Sequence, residues 1–364
     1  MPADCLQLNE LLTQLKSLLA DFEQAINKIN FAADYQDREN KVMIAEAWAA
    51  KERLENQIRD VEHLFGQELR ECNLAEQYAQ QVEILKKYGV LEELADGKIG
   101  IKFPETELQE YIKFPLPKFE EISERIRERE KFFSRKARQG FTKLVLVPFG
   151  IINNDLIVAY ERALTDHKDE LINPLDGSKH NLNASFPVML DTEFESFRFL
   201  DLAGDLLYGP RSLDIADTGA KTKQEMLERN DGWQIMLLED LPSLPWRRQA
   251  KTVGGRKQIE APKRPAEYLA LLRENPSYEG EQAINIETWI CYAMKQLEEK
   301  HQVIDDMGDL KVAAGTSSTP CMLLGSIMKD TLKIPAADWS ENSAYITLDK
   351  PEISMHGLRT AVEI

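Results

Sequence analysis

An α+β architecture is predicted, with a helical N-terminal region followed by a mixed C-terminal domain. Three observations point there. Residues 6–30 carry apolar side chains at seven-residue intervals. Residues 36–88 contain no proline and one internal glycine, Gly66. At Gly140 the texture changes, and Phe141-Thr-Lys-Leu-Val-Leu-Val-Pro-Phe-Gly150 presents a continuous apolar run closed by proline and glycine, the pattern of a buried strand.

The bulk properties agree. The chain has 364 residues, enough for two or three units with a substantial core. Hydrophobic residues make up 43% and charged ones 29%, which suits a folded chain rather than a disordered one. The net charge is −17, so a general affinity for nucleic acid or anionic membrane is not expected. Cys5, Cys72, Cys291 and Cys321 lie far apart with no CxxC, which indicates neither a zinc motif nor a disulfide framework. The N-terminus lacks the basic and apolar regions of a signal peptide, and no window reaches the ~18 apolar residues of a membrane span. A cytoplasmic location with reduced thiols is the expectation.

Residues 1–95 are expected to form a helical bundle or stalk. In 6–30, Leu8, Leu15, Phe22 and Ile29 form one row, Leu11, Leu18 and Ala25 a second, and Leu12, Leu19 and Ile26 a third. Three adjacent rows are wider than a two-stranded seam, so a bundle fits, and self-association is open to it. In 36–88, Ile58, Val61 and Phe65 mark the apolar face, and Tyr88-Gly89 reads as a C-terminal stop. Residues 96–139 are expected to be a Pro/Gly connector plus a helix. Gly97, Gly100, Pro104, Pro115 and Pro117 punctuate it, and Phe103 and Phe114 would pin it to a neighbouring surface. The helix, with Phe119, Ile122, Ile126 and Phe133 on its stripe, ends in cations, as the helix dipole favours.

Residues 140–364 are expected to form the α+β domain. Helices are predicted over 156–166, 221–229, 266–274 and 287–300, and a second buried strand over 232–239. From Leu310 onward the segments are short and rich in turns.

Three groups invite chemical readings. Trp246-Arg-Arg-Gln-Ala-Lys-Thr-Val-Gly-Gly-Arg-Lys257 with Lys263 and Arg264 gathers seven cations, and Gly254, Gly255, Arg256 and Lys257 could form an anion-binding nest. A solvated loop balancing acidic neighbours explains the same residues. Cys321 has no adjacent cation to activate it and reads as a small buried hydrophobe, although a histidine partner would make it a nucleophile. His301 near Asp305 and Asp306 suggests a metal, or simply a helix end with a polar turn. His63, His167 and His180 lack ligand spacing in the sequence. No cofactor or metal site is assigned.

The blocks Phe141–Gly150, Lys221–Glu225, Trp233–Pro242, Lys251–Gln258, Glu267-Tyr-Leu269, Gly280–Gln282, Glu287–Trp289 and Gln302–Asp306 resemble, in order and spelling, an uncharacterised family of candidate-phylum bacteria. That resemblance covers roughly residues 132–364. Cys321-Met-Leu-Leu-Gly-Ser326, Ile334-Pro-Ala-Ala-Asp-Trp339 and Gly357-Leu-Arg-Thr-Ala-Val362 resemble the closing blocks of C-type-lectin-like, formylglycine-enzyme-like target proteins of diversity-generating retroelements. The resemblance implies that Gly357–Val362 is a scaffold strand and that the segment Ser340–His356 displays variable side chains. Ser340, Glu341, Asn342, Ser343, Tyr345, Thr347, Asp349, Glu352, Ser354 and His356 are the implied ligand-binding positions. Their polar and amphipathic character suits adaptable recognition. Trp339 is expected in the core, and Arg359 as a buried scaffold residue. Neither an EPN nor a WND triplet is present, so calcium-dependent sugar binding is not implied.

A non-catalytic recognition protein is therefore the leading expectation, its partner a protein or other macromolecule. An enzyme using the Gly254–Lys257 loop or Cys321 on a phosphorylated or acyl substrate is the alternative. A nucleic-acid-associated factor built on the basic loop is the third.

Overall fold

The apolar runs at Phe141 and Gly232 become neighbouring strands. In the computed structural model, which describes residues 49–51, 66–104, 111–174, 177–190, 200–214, 217–228, 232–306, 320–350, 352 and 356–364, Phe141–Val147 pairs antiparallel with Gln234–Glu239. Gln234–Glu239 pairs in turn with Thr360–Glu363, and that strand with Glu281–Ala283, giving a four-stranded antiparallel sheet. Leu144, Val145, Leu146, Ile235, Met236 and Leu237 are all buried, as a strand covered on both faces requires.

Helix Ile286–Lys300 lies against this sheet and against helix Asn153–Asp166, where Trp289 meets Tyr160 edge to face at 5.9 Å. Asn285 starts it as N-cap, its Oδ1 accepting the Thr288 N–H at 2.9 Å. From Ile286 to Leu297 every side chain is buried, polar ones included. One of these, Glu287, joins Asp201 in holding the fully buried Lys223 ammonium, at 2.9 and 2.7 Å. Tyr208 donates to Glu287 at 2.7 Å. One ammonium is shared by two carboxylates, so each buried charge has an opposite charge beside it, which is how ionised groups tolerate burial.

A second sheet has five strands in the order Gly357–Leu358, Cys321–Met322, Ile334–Ser340, Ser343–Asp349, Val188–Leu190. Its two outer pairings are parallel and its two inner ones antiparallel. Met322, Ile334 and Leu358 share a core cluster with Tyr268, Tyr278, Leu324 and Ile327. A third sheet joins Ser326–Met328, Leu206–Tyr208 and Lys221–Thr222. The protein is thus mixed α+β, with helices and several sheets interleaved along the chain.

Differences from the sequence reading are local. Among the described residues of the expected 1–95 bundle, Gly66–Lys87 is helical; residues 1–48 and 52–65, with the heptad rows, lie outside the description. The chain divides by contacts into Met1–Gln77 and Tyr78–Ile364, so the expected connector belongs to the second unit. There Glu92–Glu93, Ile99–Pro104 and Tyr111–Pro115 form a small antiparallel sheet. Phe103 and Phe114 are buried, and a Cβ on Gly232 would lie 2.1 Å from the Phe114 ring, so only glycine allows that approach. The following helix is broken at Arg129 into Phe119–Glu128 and Glu130–Arg138. Lys221–Thr222 is a strand, and the helix predicted there starts at Lys223 behind a Thr222–Glu225 capping box. Among the described residues, no helix is long and apolar enough to cross a membrane.

Candidate functional site

The segment singled out for display begins as the turn and second strand of a β-hairpin, and residues 351 and 353–355 of it lie outside the described residues. Ile334–Ser340 and Ser343–Asp349 pair in full register, from Ile334 opposite Asp349 to Ser340 opposite Ser343. Glu341 and Asn342 form the two-residue turn, at φ 49° and 64°. Both left-handed conformations match the turn that joins twisted antiparallel strands.

Residues directly opposite each other share a face of the sheet. One face carries Ala337, Trp339, Ala344 and Ile346, all buried. Trp339 is therefore core, and it stacks beside His180 with ring centroids 5.6 Å apart. The other face carries Ser340, Asp338, Tyr345, Thr347 and Asp349, all half-buried, together with Ile334, Ala336 and Ser343, which are buried; Glu341, Asn342 and Glu352 are exposed.

Two of the implied display positions are fastened inside. Ser343 is buried and donates to the Phe186 carbonyl at 2.9 Å. His356 is buried, with Nε2 2.8 Å from Asp349 and its carbonyl accepting from Tyr268 at 2.9 Å. They hold the hairpin to its frame through the Ser343 hydroxyl, the His356 Nε2 and the His356 carbonyl. Ser354 lies outside the described residues. Beside His356, burial pushes the Asp338 pKa up to about 6. Asp338 and Ser340 are hydrogen-bonded to each other, so the outer face offers chiefly Tyr345 and Thr347, with the turn above them.

The basic loop is placed otherwise than a nest requires. Gly254 and Gly255 form the turn between the two short strands Thr252–Val253 and Arg256–Lys257, at φ 54° and 81°. A Cβ on Gly254 would stand 2.4 Å from the Arg138 carbonyl oxygen, an acceptor that repels an anion. Arg256 is fully buried, and its fork grips Glu281 through two hydrogen bonds of 2.7 Å. Its third nitrogen lies 3.2 Å from Glu239. Lys136, also buried, reaches the same Glu281 at 2.8 Å. The cation that the sequence offered to a phosphate already holds the protein's own carboxylates. Lys257 alone of the pair is exposed, 3.3 Å from Glu260.

The nucleophile reading fares similarly. Cys321 has no exposed surface, and burial pushes its thiol well above the usual range, so no thiolate forms near neutral pH. Cys291 is buried and shifted the same way.

His301 does not join Asp305 and Asp306. Asp305 faces Arg359 and the Trp289 indole N–H, and Asp306 faces His180 Nε2 at 2.8 Å. His301 turns instead towards His167, their Nδ1 atoms 3.1 Å apart, with Glu170 and Glu298 around them. His167 and Glu170 were not flagged by spacing to His301, since 134 residues separate the two histidines. The one local signal is their own i, i+3 spacing at a helix end.

No family model, curated protein or solved structure matches this chain.

Proposed function

We propose that this is a recognition protein, presenting a changeable polar surface from the outer face of its C-terminal hairpin on a C-type-lectin-like frame. The observation that carries this is the division of labour within one hairpin. Ala337, Trp339, Ala344 and Ile346 are packed on one face, while Glu341 and Asn342 are exposed on the turn and Tyr345 and Thr347 stand half-exposed on the opposite face, beside the buried Ala336 and Ile334. Side chains on the second set can change without moving the first, because successive strand residues point to opposite faces. Rigid strands lower the ordering cost of binding relative to a floppy loop. Tyr345 supplies an amphipathic ring and Asn342 an adaptable hydrogen-bonding group. The buried Arg256 and Cys321 support this reading over one based on phosphate or acyl chemistry. The partner expected is a folded protein or another macromolecule.

Randomising Glu341, Asn342, Tyr345 and Thr347 in the full chain tests it. The expected result is that variants at Tyr345 and Thr347, combined with Asn, Asp or Gly at the left-handed positions 341 and 342, keep the parent's thermal stability to within a few degrees and that binders to a chosen folded protein can be selected among them. Wholesale unfolding, or a folded library from which no binder emerges, overturns the proposal.

A further inference from the structure

Two helices end at the same place. His167 is the C-cap of Asn153–Asp166, and His301, at φ 56°, is the C-cap of Ile286–Lys300. His301 is held by Ile172, whose N–H donates to the His301 carbonyl at 2.8 Å, and Glu170 is tied back to the His167 carbonyl at 2.9 Å. The loop after the first helix is thereby stitched to the end of the second.

Three ligand-type atoms converge there. His167 Nδ1 and His301 Nδ1 are 3.1 Å apart, Glu170 Oε2 is 3.2 Å from His301 Nδ1, and it is 3.9 Å from His167 Nδ1. A tetrahedral zinc with bonds of about 2.0–2.1 Å sets its ligand atoms about 3.3–3.4 Å apart. Two of the three edges are close to that size, and rotation of the exposed Glu170 side chain can shorten the third.

A second, independent feature points the same way. His167 Nε2 lies 2.9 Å from Glu298 Oε1. A carboxylate at that nitrogen keeps the proton on Nε2 and leaves the Nδ1 lone pair directed at the triangle, as in metal-binding histidines backed by a carboxylate. Glu298 is itself held, by the Tyr88 hydroxyl and by Lys87 at 2.8 Å. The helix ends add a field of the right sign, since each C-terminus carries about half a negative charge and favours a cation.

We propose that His167, His301 and Glu170 bind one divalent transition-metal ion of the zinc type, with Glu298 as the carboxylate that orients His167. Imidazole nitrogen and carboxylate oxygen suit zinc and cobalt better than calcium or magnesium, which prefer all-oxygen sets. Three protein ligands leave a fourth position, and with His301 and Glu170 partly exposed that position faces solvent. The site shares no residue with the hairpin surface, so it stands or falls independently of the recognition reading.

The test is a titration of the full, chelator-stripped chain with Zn2+ by calorimetry and with Co2+ by visible absorption. The expected result is one ion per chain and the intense band of four-coordinate cobalt. H301A, H167A and E170Q should each weaken binding about 100-fold or more, and E298Q about 10–100-fold. H180A and H356A should leave it unchanged. His301 is half-exposed, so H301A retains the fold even where H167A does not; circular dichroism checks this. No stoichiometric binding, or binding that survives H301A and E170Q with unchanged affinity, overturns the assignment.

Discussion

The Arg359 guanidinium meets the Asp305 carboxylate in two buried hydrogen bonds, Nε to Oδ2 at 2.9 Å and Nη2 to Oδ1 at 2.7 Å. Arg359 stands between Gly357–Leu358, in the five-stranded sheet, and Thr360–Glu363, in the four-stranded one. It also donates to the carbonyls of Leu241 and Pro242. Asp305 in turn accepts from Trp289 Nε1 at 3.0 Å and donates its backbone N–H to the Pro242 carbonyl. One ion pair thus fastens the point where the chain passes from one sheet to the other.

Breaking that pair from one side strands a buried charge. R359A should cost about 3–5 kcal/mol, and D305A a similar amount. The double variant should cost well under the sum, since each single change leaves the other group unpaired. Urea unfolding of the four proteins measures this; strictly additive losses, or losses under about 1 kcal/mol, would contradict the assigned role.

Asp338 gives a pH signature. Its pKa is raised to about 6 by burial, so between the ordinary carboxylate range and pH 6 the folded chain holds a proton that the unfolded chain has released. Stability from this group is therefore present at low pH and lost as pH rises through about 6. D338N should stabilise the protein by about 1–2 kcal/mol at pH 8 and leave it nearly unchanged near pH 4. Equal effects at both pH values would contradict the shift.

Arg256 and Lys257 are neighbours with opposite fates. R256A leaves Glu281 with the buried Lys136 and the Thr360 hydroxyl, and should cost about 3–5 kcal/mol. K257A removes an exposed ion pair and should change stability by less than about 0.5 kcal/mol. If the loop held phosphate or nucleic acid, both changes would reduce binding and its salt dependence. Neither is expected to alter the retention of the chain on a phosphate or oligonucleotide column.

The two faces of the hairpin should separate in a mutational scan. W339A opens a core cavity and should cost about 3–5 kcal/mol. N342S and T347S, on the turn and outer face, should each cost less than about 1 kcal/mol. Comparable losses on both faces would mean the outer face is packed after all.

Cys291 and Cys321 should resist thiol reagents in the native chain and react only on unfolding, because burial both excludes reagent and disfavours the thiolate. Peptide mass spectrometry after labelling reads each cysteine separately. Native labelling of Cys321 at the rate of a free thiol would reopen the nucleophile reading.

Local physics was legible in the residue order. The apolar runs at Phe141 and Gly232 required buried strands, and the stripe from Trp289 to Leu297 required a buried helix. Burial of Phe103, Phe114 and Trp339 followed from residue type and setting, and that of Arg359 from the resemblance of Gly357–Val362 to a scaffold strand. The Glu341–Asn342 turn was less visible, because a two-residue hairpin of this kind is usually marked by glycine and here has none.

What sequence alone determined is where the chain can be strand, helix or turn, and which side chains need burial, since propensity and apolar spacing act over a few residues. Tertiary structure decided which distant charges meet. It gave Arg256 to Glu281, Arg359 to Asp305 and His167 to His301, pairs separated by 25, 54 and 134 residues. A charged side chain carries no record of its partner until packing removes the water around both, and at that point only an opposite charge or a shared ligand makes the burial tolerable.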